Sequence, residues 1–183
     1  MYEVQTIMNE SKIGHIIVDG PDAVGKTTLS DYICKKYNLE TKHSTADDPN
    51  DFDYHKNMLM DFNSKFYDRF FAGEYVYPKL YDRKPKLSIT EIETLCKLIV
   101  ETNSLYIIMN TSDVDILIRR LIERKEFNYF KEIGPQVQLF KEFAYIFESF
   151  FDKYDNFIYF DINQENAYDK LYEKIDKFIE RYK

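Results

Sequence analysis

Gly20-Pro21-Asp22-Ala23-Val24-Gly25-Lys26-Thr27 fits the pattern G-x-x-x-x-G-K-[ST]. The apolar run Ile16-Ile17-Val18 before it reads as a buried strand. Leu29 and Ile33 behind it fall at helical spacing. Glycines let backbone amides curl around a phosphate, and the helix N-terminus adds its partial positive charge. Lys26 is then placed to reach β- and γ-phosphates, and the Thr27 hydroxyl to ligate Mg²⁺. Gly20, Ala23, Val24, Gly25, Lys26, Thr27 and Thr28 are the expected ATP-binding residues, with Lys26 catalytic and Thr27 the metal ligand. A chance glycine turn ahead of a helix is the alternative, and the flanking strand and helix count against it.

The loop alone does not choose among a kinase, a GTPase and a motor ATPase. A GTPase needs an N-K-x-D base-reading motif, which the chain lacks. A motor ATPase needs an apolar strand ending in Asp, and Phe157-Ile158-Tyr159-Phe160-Asp161 has that look. It lies near the C-terminus, where it reads better as the last strand of a short chain.

Outward from the loop, β-like runs alternate with helical ones. Strands are expected at 15–19, 40–43, 65–68, 105–109 and 156–161. Helices are expected at 26–37, 53–63, 90–101, 114–125, 135–154 and 165–182. Ser88 and Glu91 form a capping box, and Gly134-Pro135 puts proline at a first helical position. The stretches 78–85 and 125–134 read as loops. Such alternation implies an α/β fold: a mostly parallel five-stranded sheet flanked by helices in three layers, the P-loop NTPase fold with a short lid at about 125–134. Residues 1–183 read as one domain.

Composition narrows the class. With 44% hydrophobic and 31% charged residues the chain is globular, and no apolar run approaches the ~20 residues of a membrane span. The N-terminal residues show no signal or transit peptide, so a cytoplasmic location is expected, with Cys34 and Cys96 as free thiols. A net charge of −7 argues against nucleic acid as a partner but not against a nucleotide.

Moving a phosphoryl group also requires an oriented acceptor and further cations. Asp68-Arg69 ends an apolar strand, where Arg69 can form a two-pronged bond to a phosphate and Asp68 can hold that arginine or a metal-bound water. A structural ion pair is the competing reading. Arg120 and Arg124 share one helical face and lead toward Lys125 and Lys131, so they could close a lid over ATP. A solvated charged face is the plainer alternative. His15 reads as a hydrogen-bonded strand residue, His43 as a residue close to the site and His55 as a surface residue. Asp19 either orders Lys26 or a Mg²⁺-bound water, or is a strand-end carboxylate.

With these elements the chain resembles the thymidylate kinase family of nucleoside monophosphate kinases, especially its compact phage-type members. The likeness rests on Gly20 to Thr28, Asp68-Arg69-Phe70 and Arg120-Leu121-Ile122-Glu123-Arg124, with the strand at 157–161 and the helix after it. The resemblance implies transfer of the ATP γ-phosphate, with Mg²⁺, to a deoxynucleoside 5′-monophosphate such as dTMP or a related, modified pyrimidine. By it, Asp22 contacts the acceptor sugar hydroxyl, Arg69 holds the acceptor phosphate, Arg120 lies against the donor adenine and Arg124 approaches the transferring phosphate. A homodimer is left open. Where the family carries a base-reading Gln, this chain has Pro78, and its Phe and Arg for the acceptor have no secure match. Phe62 or Tyr54 could stack on a base or belong to the core. A kinase of a neutral hydroxyl, on a deoxynucleoside or a hydroxymethylated DNA base, with Asp19 or Asp68 as base, is the second reading. A catalytically idle nucleotide-binding partner is the third.

Overall fold

Five short strands, β1 (Ile16–Asp19), β2 (Glu40–His43), β3 (Lys65–Asp68), β4 (Leu105–Asn110) and β5 (Phe157–Asp161), form one parallel sheet in the order β2-β3-β1-β4-β5. The computed structural model describes residues 13–45, 47–124 and 129–182. Val18 pairs in register with Asp68 on one side and Ile107 on the other, so β1 is the central strand. Seven α-helices connect and flank the strands among the described residues. They are α1 (Lys26–Tyr37), α2 (Phe52–Leu59), α3 (Phe71–Leu80), α4 (Ile89–Glu101), α5 (Val114–Glu123), α6 (Tyr129–Ile146) and α7 (Ala167–Glu180).

Alternation along the strands makes the three layers. Ile16, Val18, Leu105, Ile107 and Met109 pack on one face with Leu29 of α1, Leu117 of α5 and Leu171 and Ile175 of α7. Ile17, Tyr67, Tyr106 and Ile108 turn to the other face, against Leu59 of α2, Phe71 and Val76 of α3, Leu95 of α4 and Phe143 of α6. A parallel sheet covered on both sides must bury nearly every strand residue, and all of β1 and β4 is buried. The expected fold class is the one observed.

Three sequence expectations are corrected. Residues 71–80, given no element in the sequence reading and expected as loop from 78 on, form α3, and Pro78 sits inside it. The expected lid loop is shorter, because α6 begins at Tyr129; residues 125–128 lie outside the described residues. Pro135 is accordingly interior to α6 rather than at its first position, and the helix ends in a π-helical turn, Phe147–Phe151. The Ser88–Glu91 capping box forms as expected, with both reciprocal bonds present.

Candidate active site

The carboxyl end of β1 leads directly into the phosphate loop. Gly20 has φ 142°, and a Cβ there would lie 2.0 Å from the Met109 carbonyl oxygen, so only glycine fits between β1 and β4. Ala23 (φ 63°) and Gly25 (φ 97°) both adopt left-handed backbone, the kind of turn that gathers successive amides into an anion-binding nest. Lys26 opens α1 and is buried. Its ammonium donates to the Gly20 and Pro21 carbonyls at 2.9 and 2.6 Å and lies 3.8 Å from Asp22 Oδ1. Burial pushes its pKa down, with the Asp22 carboxylate opposing. The lysine therefore braces the loop's own carbonyls. Thr27 and Thr28 are exposed on the first turn of α1.

Arg69 follows β3, the strand hydrogen-bonded to β1. Its backbone lies at φ 72°, with its N–H donating to the Val18 carbonyl at 2.9 Å. The guanidinium Nη2 donates to Asp22 Oδ1 at 2.7 Å, while the buried Nε has no hydrogen-bond partner among the described residues. Asp68 does not hold Arg69, contrary to one expectation. Its Oδ2 is hydrogen-bonded to His43 Nδ1 at 3.1 Å across the β2–β3 pair, and its buried Oδ1 is without a hydrogen-bond partner among the described residues. The physical reason is strand alternation: adjacent residues at a strand end point to opposite sides.

Asp19 takes the second of its two readings, a strand-end carboxylate. Fully buried, it accepts from the Gly20 N–H through Oδ1. Through Oδ2 it accepts from the N–H groups of Phe70 and Gly73 and from the Tyr106 hydroxyl at 2.8 Å. Tyr106 Oη in turn accepts from Ala72 N–H at 3.1 Å. These bonds satisfy amides at the start of α3, whose own N-cap, Phe70, has no side chain able to do so. Burial raises the Asp19 pKa, and the Tyr106 hydrogen bond opposes the rise. The carboxylate is thus committed to a frame joining β1, β4 and α3, with Lys26 acting on it only as a neighbouring charge.

Arg120 and Arg124 meet the phosphate loop. Arg120 Nη1 donates to the Ala23 carbonyl at 3.0 Å, and Arg124, the C-cap of α5, lines a pocket with Lys26, Thr27, Asp22, Asp68 and Arg69. The face read as either lid or solvated surface is turned to the loop. Lys125 and the Lys131 side chain lie outside the described residues.

A second cleft begins where that pocket ends. Asp22 and Arg69 line both. Its walls include Phe70, Glu74 and Tyr77 of the α3 region, Asn50 after β2, and Arg83, Lys84 and Lys86 beyond α3. Sequence reading passed over Glu74, Tyr77, Tyr81 and these three cations. The available signal was the spacing Gly73, Glu74, Tyr77, Pro78, Tyr81, which puts one face of a helix into the cleft. Phe62 is 87% exposed and lines neither cavity. Tyr54 packs against the core.

His15 is hydrogen-bonded as expected, its Nδ1 accepting from Lys65 N–H. His55 is not a surface residue. It is fully buried on α2 against Phe70 and Phe71, because the inner face of α2 must meet the base of the cleft.

No family model and no curated protein matches the chain. Solved structures do match its fold. The YorR protein of Bacillus subtilis, solved with phosphorylated GDP, has a TM-score of 0.75 at 17% identity, over 91% of this chain and 95% of that one. A deoxyadenosine kinase from M. mycoides with dCMP and dCDP bound has a TM-score of 0.61 at 14% identity, covering 89% and 98% of the two chains. A thymidylate kinase from Candida albicans has a TM-score of 0.58 at 12% identity, covering 93% and 95%. A shikimate kinase from Acinetobacter baumannii also matches, at a TM-score of 0.52. At these identities the likeness establishes a fold used by P-loop kinases. No helix among the described residues is long and apolar enough to cross a membrane.

Proposed function

We propose that this chain is an ATP-dependent kinase that phosphorylates a deoxynucleoside monophosphate. The carrying observation is that the phosphate-loop pocket and the second cleft meet at Asp22 and Arg69. That is the arrangement a two-substrate phosphoryl transfer needs, with donor and acceptor phosphates brought to one point from opposite sides.

In this reading the donor's phosphates lie in the loop, taking Lys26 from the Gly20 and Pro21 carbonyls. The acceptor 5′-phosphate takes Arg69, which offers two donors: Nε, without a partner among the described residues, and Nη2, exchanged from Asp22. Asp22, released from Arg69, turns to the sugar hydroxyl. An acceptor phosphate oxygen attacks the γ-phosphorus in line, the bond to the β-bridging oxygen breaks, and ADP leaves. Arg124 faces the charge that spreads over the transferring group, and Arg120, beside the loop at Ala23, holds the donor. Mg²⁺ fits the residues present: Thr27 is exposed on the first turn of α1, and Asp68, lining the same pocket, has an Oδ1 without a partner among the described residues, so both can offer hard oxygen donors. When bound with ATP it supplies charge neutralisation at the phosphates.

A neutral hydroxyl acceptor requires a carboxylate base at the junction. Asp19 is committed through both oxygens to its backbone and tyrosine donors, and in this reading Asp68 serves the metal while one of its oxygens meets His43. An acceptor that is already anionic needs no base, and four cations line its cleft. Structures of the same fold solved with deoxynucleotides bound support the reading. The sequence resemblance names dTMP or a related pyrimidine deoxynucleotide; the reading proposed here extends to the deoxynucleoside monophosphate and leaves its base to the cleft wall, with a cytoplasmic location and no nucleic-acid partner as part of the same proposal.

The test is incubation with ATP, Mg²⁺ and a panel of nucleosides, nucleoside monophosphates and oligonucleotides. Diphosphate formation from monophosphates is expected. Phosphorylation confined to nucleosides or DNA would overturn the reading.

A further inference from the structure

Resting on that reading, we propose that Glu74 selects the acceptor base, and that the base it selects carries an exocyclic amino group. Glu74 stands on the cleft-facing side of α3, one turn before Pro78, and both line the cleft. Pro78 offers no side-chain hydrogen bond at the wall where a base would be read. Glu74 is half-buried and makes no hydrogen bond or ion pair with any described residue. The other acids of this cleft, Asp19 and Asp22, are taken up by the α3 frame and by Arg69. Tyr77 and Tyr81, on the same side of α3, lie with rings nearly parallel, 9° apart, giving the wall flat aromatic surface beside the carboxylate.

The chemistry follows from what a carboxylate can do. It has acceptor oxygens only, so its complement is a base edge presenting N–H groups. Cytosine, adenine and guanine each present an amino group. Thymine presents a single N–H between two carbonyl oxygens, and those oxygens would face the carboxylate's own. A site built to accept from an amine rejects the analogue that lacks it, because its buried acceptor is left unpaired. Burial pushes the Glu74 pKa up and the Asp19 charge adds to the rise, while Lys86 and Arg83 oppose it.

The experiment measures binding and kcat/KM for dCMP, dAMP, dGMP and dTMP in the wild type and in Glu74→Gln, with ATP binding as the control for folding. The wild type should prefer one or more amino-bearing monophosphates to dTMP. Glu74→Gln keeps a carbonyl acceptor but loses its charge, so it should weaken the preferred substrate about 3- to 10-fold, and it should improve dTMP, since an amide can donate to a thymine carbonyl. A wild type that prefers dTMP, a preference unchanged in Glu74→Gln, or an equal loss on all four would overturn the assignment while leaving a monophosphate kinase. Failure of every monophosphate to bind or react would instead remove the parent reading, and this inference with it.

Discussion

At Arg69 a large side chain is held at φ 72°, a conformation that costs about 1–3 kcal/mol and persists only where neighbours fix it. Here its own N–H is bound to Val18 and the next one, of Phe70, to Asp19. The strain aims a guanidinium at the junction of the two cavities. Arg69→Ala should therefore raise the KM of a monophosphate acceptor about 10- to 150-fold with little change in ATP binding. Arg69→Lys should recover part of the loss, since an ammonium cannot present two parallel donors. Kinetics with varied monophosphate check this, and an unchanged KM in Arg69→Ala would return the residue to a structural ion pair with Asp22. On the donor side, Lys26→Ala removes the only loop side chain that is both cationic and buried against the phosphate nest. Turnover should fall about 10²–10³-fold. Near-normal turnover would take the loop out of the mechanism.

Two helices set the geometry around these residues, and they differ in how visible they are from sequence. Arg120 and Arg124 on α5 were recognisable because spacing of four puts both on one face; what spacing could not decide was whether that face met solvent or the loop. The Arg120–Ala23 bond places it on the loop. Arg124→Ala should lower kcat more than ATP affinity, and Arg120→Ala should mainly weaken ATP binding; steady-state kinetics with ATP titrations separate the two. Two mutants unchanged in both parameters would give the face back to solvent. Helix α3 was invisible because its local signals are poor: Gly73 and Pro78 lie inside it, and Phe70 cannot cap it. Its amides are met by Asp19 and Tyr106, which are 51 or more and 34 positions away in the chain. Tertiary capping leaves no local trace. Tyr106→Phe keeps the ring among Phe71, Phe151 and Phe157 but removes a hydroxyl that both donates to Asp19 and accepts from Ala72. Stability should drop by about 1–3 kcal/mol in urea melts, and the acceptor KM should rise with α3 and Arg69 less firmly placed. A stability loss with an unchanged acceptor KM would show the frame to be structural alone.

For the molecule as a whole, the alternation of apolar strand runs with amphipathic helices was enough for a covered parallel sheet, because burial on both faces leaves a nearly continuous apolar signature in strands such as β4. Strand order, cleft walls and buried polar groups depend on contacts distant in sequence and were not legible. His55 is the sharpest case: an acidic, aromatic segment suggested surface, yet the ring is buried among Tyr54, Phe70 and Phe71. Neither ring nitrogen meets a hydrogen-bond partner among the described residues. Burial pushes its pKa from 6.5 down to about 4, with the Asp51 carboxylate and the Asn50 backbone opposing. The unfolded chain then takes up a proton at a pH where the folded one does not. Folding stability should fall as pH drops from about 6.5 to about 4 and level off below, a loss of about 3 kcal/mol at most. His15, lowered from 6.5 by burial, adds to the slope in the same window; the Asp48, Asp61 and Glu91 carboxyls, lowered by Thr45, Lys65 and Ser88, lose their contributions only at more acidic pH, and Asp19 and Glu74, raised by burial, act in the opposite sense. His55→Leu isolates the histidine, since it keeps an apolar side chain in the core and removes the titrating ring. Urea midpoints taken from pH 7 to pH 4.5 should slope downward in the wild type and markedly less in His55→Leu. Equal slopes in the two proteins would mean that the ring is hydrated in solution and that the acid sensitivity of this fold lies elsewhere.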